Sequence, residues 1–520
     1  MKRLLYILTV LVLFTNSSCK KFLAESSQDE VKPGNLSDLT SLMSGDGYPY
    51  QTNLSFVINY ITDDISCQGG QGQERYIPIV KKIKSAFGWN KTMSEDLILT
   101  GGITSVSSIN SWQILYKQIA GCNVILEYIS KVSGPETEKQ NLRGQALAMR
   151  AYYYFILVNM YARPYNDPAS NPETNPGVPL KLDMSVSDQF YARNTVAEVY
   201  AQMEKDFLEA ALLMRNNPKN NGIYKMSEQA AYAMLSRVYL YEEQWDKTIE
   251  YADKALAIKS NLAQLSSFTA AGGIYAWNNT FTNTNLNRIY DPAKSNEIIW
   301  AYEPNLAADK EVFVSSLSPA VSVVLDPPYS PSAELMNLYE TRPVKDNEFY
   351  LADLRARLYY EGIFLSFIPN PPGLPIPNFK VYCGSKGGGG LRIAELYLNR
   401  AEANIRKALT AGGAGFPAAL NDLNKLRASR YDTRQPYIPV NITDGAALLD
   451  FYKDERRREL AFEGHRWFDL RRYGMPAISH HYEEIPGSGE IFTLEKGDSR
   501  YTLQIPVVVM KRNPLLVQNQ

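Results

Sequence analysis

Histidine is nearly absent: the 520-residue chain has three. His480 and His481 are adjacent and His465 stands alone, so no pair has the i, i+4 spacing that presents two imidazoles to zinc from one helix. Glu483-Glu484 close by does not change that reading, and no metal site is expected. Cysteine is scarce as well, with four in the whole chain. Setting aside Cys19, the remainder (Cys67, Cys122, Cys383) is an odd number with no paired spacing, which argues against a disulfide framework. Cys122 falls in an apolar helical run and is expected as a small core residue. Charge of either sign is not in excess: 54 Lys+Arg stand against 55 Asp+Glu, a formal net charge of −1. That balance excludes an electrostatic nucleic-acid surface.

Catalytic signatures are missing too. There is no G-x-S-x-G elbow and no Cys/His pairing, and Gly387–Gly390 lacks the Gly-Lys-Ser/Thr ending of a phosphate cradle. Those glycines read as a flexible lead into a helix. Carboxylate pairs for glycoside hydrolysis are set in space rather than in sequence, and none is singled out here. No cofactor is implied, and the chain is read as non-enzymatic.

Long apolar runs are confined to the N-terminus. Lys2 and Arg3 precede Leu4–Phe14, which is too short to span a bilayer and leads into Asn16-Ser-Ser-Cys19. A cysteine directly after such a run resembles a bacterial lipobox: residues 1–18 are then a lipoprotein signal peptide and Cys19 carries the lipid. An ordinary signal peptide cut near this point is the alternative.

What the chain has in quantity is aromatic side chains, with 35 Tyr and 6 Trp. Most belong to helix packing, but tyrosine and tryptophan in loops also offer apolar plates to the C–H faces of sugar rings. Helical periodicity covers much of the rest. Asn35–Met43 reads as a short helix, and Ile109–Ser130 and Leu142–Tyr161 as long ones. Ala146, Ala148 and Ala151 let a partner helix approach closely. Thr195 with Glu198 makes a capping box opening a helix to Met214. Tyr232, Leu235, Ser236 and Tyr239, followed by Thr248, Ala252 and Ala255, match the tetratricopeptide helix–turn–helix spacing. Leu391–Leu409 with Phe416–Arg430, and Ala446–Glu463 with His465–Tyr473, read as two further pairs. The fold expected is mainly α: about four TPR-like helical pairs (residues 109–162, 194–260, 391–430 and 446–474) in a single domain from 19 to 520.

Residues 261–390 break this rhythm with a strand at Glu297–Tyr302, an apolar Ser-rich run at Val312–Leu325 and a Pro-rich stretch at Pro369–Pro377. A long irregular or small-strand insertion laid over a helical frame is the natural place for a ligand-binding face. The candidate contacts are loop aromatics, Trp89, Tyr275, Trp277, Tyr290 and Tyr329, with Arg75, Asn278, Asn279 and Asp326 as hydrogen-bonding neighbours. Ordinary packing is the competing reading for each aromatic. Trp112, Trp245 and Trp467 lie in helix patterns and are assigned to the core. Thr62-Asp-Asp64 reads as a solvated turn rather than a cation site.

The stretch from Glu455 to Gly474 carries Glu455, Glu459 and Glu463 at four-residue intervals. Like charges so stacked repel on an isolated helix. Arginines of the same helix (Arg458, Arg466) or of a neighbour must therefore meet them in a partly buried ion-pair layer. This block strongly resembles the C-terminal hallmark of the SusD/RagB family. So do Cys19-Lys-Lys-Phe-Leu23, the helix from Ser111-Trp112 to Asn123, Leu391–Ala403, and the tail Gln504-Ile-Pro506…Asn513-Pro514…Gln518-Asn519. The resemblance implies a lipid-anchored protein of the outer membrane, facing the cell exterior. It further implies that such a protein captures a glycan, or in some members a peptide, without chemistry and works beside a SusC-like TonB-dependent transporter. A TPR-type peptide-binding or protein-interaction scaffold in the same complex is the alternative.

Overall fold

A computed structural model describes residues 33–50, 52–54, 56–67, 69, 77–99, 111–184, 190–268, 289–290, 295–303, 316–318, 323–325, 328–343, 349–359, 389–411, 415–433 and 436–520. Cys19, Cys383 and the Pro369–Pro377 stretch fall outside them. The described chain opens on α1 (Leu36–Leu42), where Asn35 and Asp38 complete a reciprocal capping box. Strand β1 (Ile65–Cys67) and helices α2 (Ile77–Phe87) and α3 (Met93–Leu99) follow.

The helical frame then begins with α4 (Ser111–Tyr128) and α5 (Glu136–Tyr161). From Asn141 onward nearly every position of α5 is buried, Tyr152, Tyr153, Tyr154 and Phe155 included. A helix buried on nearly all sides lies at the centre, with neighbours on every face, and buried polar groups on it such as Arg150 are paired, here with Asp206. The expected alanines are buried on it, and Cys122 of α4 is fully buried. Helix α6 (Val196–Asn216) starts at the expected capping box, Thr195 accepting from Glu198 N while Glu198 caps Thr195 N. The TPR-spaced segment forms α7 (Glu228–Tyr241) and α8 (Trp245–Ile258). There Ser236, fully buried, donates to Thr248 O, which draws the two helices together.

Consecutive helices pack side by side: α4 on α5, α5 on α6, α6 on α7 and α7 on α8. Past the insertion the stack resumes with α11 (Ile393–Ala411), which packs directly on α8, and continues with α12 (Phe416–Arg430) and α13 (Gly445–Leu460). Arg400 clamps this junction, pairing with Asp253 of α8 and Asp422 of α12. The fourth predicted pair takes a different form. Helix α14 (Arg466–Arg472) has two turns and is tied to α13 by the Arg456–Asp469 ion pair at 2.8 Å rather than by a long helical seam.

Between α8 and α11 lie short two-stranded elements: β2 (Ile298–Tyr302), the hairpin β3 (Ser316–Ser318) with β4 (Val323–Leu325), β5 (Tyr329–Pro331), and β6 (Thr341–Pro343) with β7 (Phe349–Leu351). The short helices α9 (Ala333–Asn337) and α10 (Arg355–Leu358) also lie here. Strand β5 pairs with β1, and β2 pairs antiparallel with β8 (Gly389–Arg392). Gly389 and Gly390 are thus strand residues rather than a flexible lead. Gly390 has φ +143, and a Cβ there would lie 2.0 Å from Trp300 O. The C-terminus adds the hairpin β9 (Ile478–Tyr482) with β10 (Glu490–Leu494), and α15 (Val507–Arg512).

The three glutamates of α13 and its exit form the ionic layer expected of them. Glu455 pairs with Arg355, Arg427 and Arg458. Glu459 pairs with Arg355, Arg392 and Arg430 and accepts from Tyr359. Glu463 pairs with Arg392. Glu297, just before β2, closes the ring against Arg392 and Arg430. Most of the arginines come from neighbouring elements, and Arg458 is the helix's own contribution. Arg466 turns instead to Asp63 at 2.6 Å.

Candidate ligand-binding face

The structure places three of the expected contact aromatics inside the protein. Trp89 is 0% exposed, donates from Nε1 to Ile61 O at 2.9 Å and stacks on His480. Tyr329 is 0% exposed, with its hydroxyl on Val80 O and its ring edge-on to Phe87. Tyr290 is 1% exposed and donates to Glu463 Oε2 at 2.6 Å, so it belongs to the ionic layer. Rings so enclosed present no face to a ligand, and each phenol or indole has its hydrogen bond met by protein. Arg75, Tyr275, Trp277, Asn278, Asn279 and Asp326 lie outside the described residues. Trp112 and Trp467 are buried as expected, Trp245 is half-buried, and Trp300, on β2, is fully buried.

The 62–64 loop is a second departure. Asp63 and Asp64 are not solvated; they accept the guanidinium groups of Arg466 and Arg457. The turn composition carries no hint of this, because the arginines come from about 400 residues further along. Among the described residues no group of three or more His, Cys, Asp or Glu is arranged to hold a metal ion. His480 is buried in the core rather than open to a ligand.

Two tyrosines not singled out from the sequence are exposed. Tyr50 is 67% and Tyr224 is 43% exposed. Residues next to them in the chain are tied to the frame and to β2. Met226 N donates to the hydroxyl of Tyr48, and Ala301 N of β2 donates to Ile223 O. Tyr302, half-buried, stacks on Trp300 at the edge of the same strand. Tyr50 follows Pro49 just past a π-helical segment (Met43–Gly47), and as a loop aromatic it carries a signal of the kind used for the other candidates.

Comparison with known proteins adds two family matches. Residues 389–520 match the SusD family, and residues 66–240 match a SusD-like family described as "Starch-binding associating with outer membrane". The chain belongs to the SusD/RagB family. Two SusD-like proteins of Formosa agariphila are similar to it. One is 24% identical over 416 residues, covering 73% of this chain and 75% of the relative. The other is 22% identical over 405 residues, covering 72% and 71%. A solved putative sugar-binding protein from Bacteroides vulgatus has a TM-score of 0.61 at 22% identity, over 94% of this chain and 99% of its own. A SusD superfamily structure from Bacteroides thetaiotaomicron has a TM-score of 0.58 at 21% identity, over 94% and 100%. These likenesses establish the TPR-like helical fold.

In this SusD/RagB chain the electrostatics of the C-terminal block are those of a structural lock. Burial alone would raise the Glu402 carboxyl from its ordinary 4.5, but Arg472, with Arg406 and Arg456 behind it, holds it down to about 2. Burial likewise opposes ionisation of Asp63, and Arg466 with Arg457 brings it from 3.8 to about 2. A carboxyl depressed in the fold contributes stability that is complete above its unfolded pKa and lost as pH falls towards the folded one. Denaturant titrations are expected to show the steepest loss of stability between pH 4.5 and about 2. A curve that stays level across that window would overturn the ion-pair assignment.

Proposed function

We propose that this chain is a non-catalytic glycan-binding lipoprotein of the cell surface. Its lipid on Cys19, after loss of residues 1–18, holds it to the outer membrane facing the exterior, and it hands oligo- or polysaccharide to a SusC-like TonB-dependent transporter. The observation that carries the reading is family membership, with one of the matching descriptions naming starch binding and association with the outer membrane. The likeness to the solved structure described as a putative sugar-binding protein supports it. Among the described residues no helix is long and apolar enough to cross a membrane, which is compatible with a tethered body.

The ligand face proposed is the 261–390 insertion together with Tyr50 and Tyr224. Tyr275 and Trp277 supply further aromatic plates, and Arg75, Asn278, Asn279 and Asp326 supply hydroxyl contacts. Trp277→Ala is expected to weaken glycan binding by tenfold or more, about 1.4 kcal/mol, with the melting temperature unchanged. Unaltered affinity in that variant would remove Trp277 from the face. The direct test is affinity electrophoresis of the chain from Lys20 onward against a panel of polysaccharides, with reducing-sugar release assayed alongside. Retardation by one polymer without sugar release is the expected result; sugar release would make the protein a hydrolase. The TPR-like frame favours one second reading, a peptide-binding scaffold of the same complex. It takes precedence if no polymer retards the protein and peptides bind.

A further inference from the structure

Helix α2 ends with four carbonyl groups that have no partner within a continuing helix. Three are met by the chain just beyond it: Gly88 N donates to Lys84 O, Asn90 N to Ser85 O and Trp89 N to Ala86 O. This is a Schellman closure, with Trp89 at φ +53 in the left-handed position usually held by glycine. The fourth carbonyl, Phe87 O, lies 2.7 Å from His480 Nδ1. The other ring nitrogen, Nε2, lies 2.9 Å from Thr62 O.

Both oxygens can only accept. A neutral imidazole has one N–H, so it satisfies one carbonyl and turns a lone pair on the other; an imidazolium donates to both. Other features of the site favour the cation. The ring is sandwiched between Phe87 (centroids 4.1 Å, planes 18° apart) and Trp89 (4.2 Å, 26°). It also sits at the negative end of an 11-residue helix.

The charged groups around it are accounted for. Asp63 acts on it from the 62–64 loop and is paired with Arg466, while the adjacent Asp64 is paired with Arg457, both arginines of the C-terminal block. From α2, Lys84 lies over the Tyr482 and Phe492 rings and pairs with Glu490 of β10. On its own hairpin are Tyr482, exposed His481 and Glu484, the last paired with Lys81. From β1 and β5 come Cys67 and Tyr329. Against the cation stands burial, the largest influence, which lowers the imidazole from its ordinary 6.5 even with both carbonyls and Asp63 pulling upward.

We propose that His480 is a proton-operated fastener between the end of α2 and the 62–64 loop. Protonated, it bridges the Phe87 and Thr62 carbonyls together; on losing the proton it keeps the helix-end contact and releases Thr62. Trp89 reports the state of the fastener, because its indole N–H is bonded to Ile61 O, one residue before the released carbonyl.

The test is 15N NMR of the full mature chain labelled in histidine rings and tryptophan indoles, with ring signals assigned through His465→Gln and His481→Gln. The expected result is that His480 passes from one to two protonated nitrogens with a midpoint below 6.5. The Trp89 indole signal shifts with the same midpoint, and that shift is absent in His480→Gln. A His480 ring that holds one tautomer from about pH 4 to about 8 overturns the proposal, and so does a Trp89 shift that survives in His480→Gln. Should that variant fail to fold, the unmodified chain still decides. Protection of the amides of the 62–64 loop from hydrogen exchange, after correction for the intrinsic pH dependence of exchange, must rise as the ring gains its proton, and protection that does not follow that titration overturns the fastener.

Discussion

Replacing Glu459 by alanine is expected to cost about 3–5 kcal/mol of folding stability, read as a shift in the urea midpoint at neutral pH. Glu459 is fully buried and is the shared counter-ion of Arg355, Arg392 and Arg430. Burial opposes its ionisation, yet those three arginines drive its carboxyl well below the ordinary range. Removing it strands guanidinium groups that have left water behind. Glu459→Gln should lose a similar amount, since shape is kept and charge is not. Combining Glu459→Ala with Arg430→Met should cost less than the sum of the two single changes, because one stranded charge goes with it. A loss below about 1 kcal/mol in the single variant would show the arginines re-pairing among Glu297, Glu455 and Glu463.

Trp89→Ala carries the second large expectation, about 3–5 kcal/mol of destabilisation with glycan binding intact in the folded fraction. The side chain is fully buried, stacks on His480 and satisfies Ile61 O. Its loss opens a cavity and leaves that carbonyl unmet. Calorimetry and affinity electrophoresis on the same sample separate the two readings of this residue. A normal melting temperature with lost glycan retardation would return Trp89 to the ligand face.

Much of the scaffold is legible in the sequence because its signals are local. Thr195 and Glu198 lie three residues apart and cap the same turn in the structure. Ser236 and Ala255 are small where antiparallel helices must approach, and both are fully buried. The spacing of Glu455, Glu459 and Glu463 demanded arginines, and arginines are there. The partners themselves were not readable: Arg355 and Arg392 lie roughly 100 and 70 positions away in the chain, and no periodicity links them to α13. The same limit explains Trp89, Tyr290 and Tyr329. A loop aromatic looks alike whether it faces water or plugs the core, and what buried these three was a hairpin, an ionic layer and a helix remote in sequence. Asp63-Asp64 looked solvated for the same reason.

The direct packing of α8 on α11 has a consequence for how such proteins diversify. The two ends of the insertion are held at one place: Lys259 reaches Ile298 O, Ala263 N donates to Glu297, and β8 pairs with β2 immediately before α11. A loop whose endpoints are pinned by the frame pays little for a change of length, about 0.6 kcal/mol for each doubling. The freedom to change belongs to the lengths between such ties and not to the whole insertion, because β5 on β1 and Arg355 and Tyr359 in the ionic layer also fix its middle to the frame. Those lengths can be extended or rewritten for a new sugar while the tied residues keep the partners of the helices.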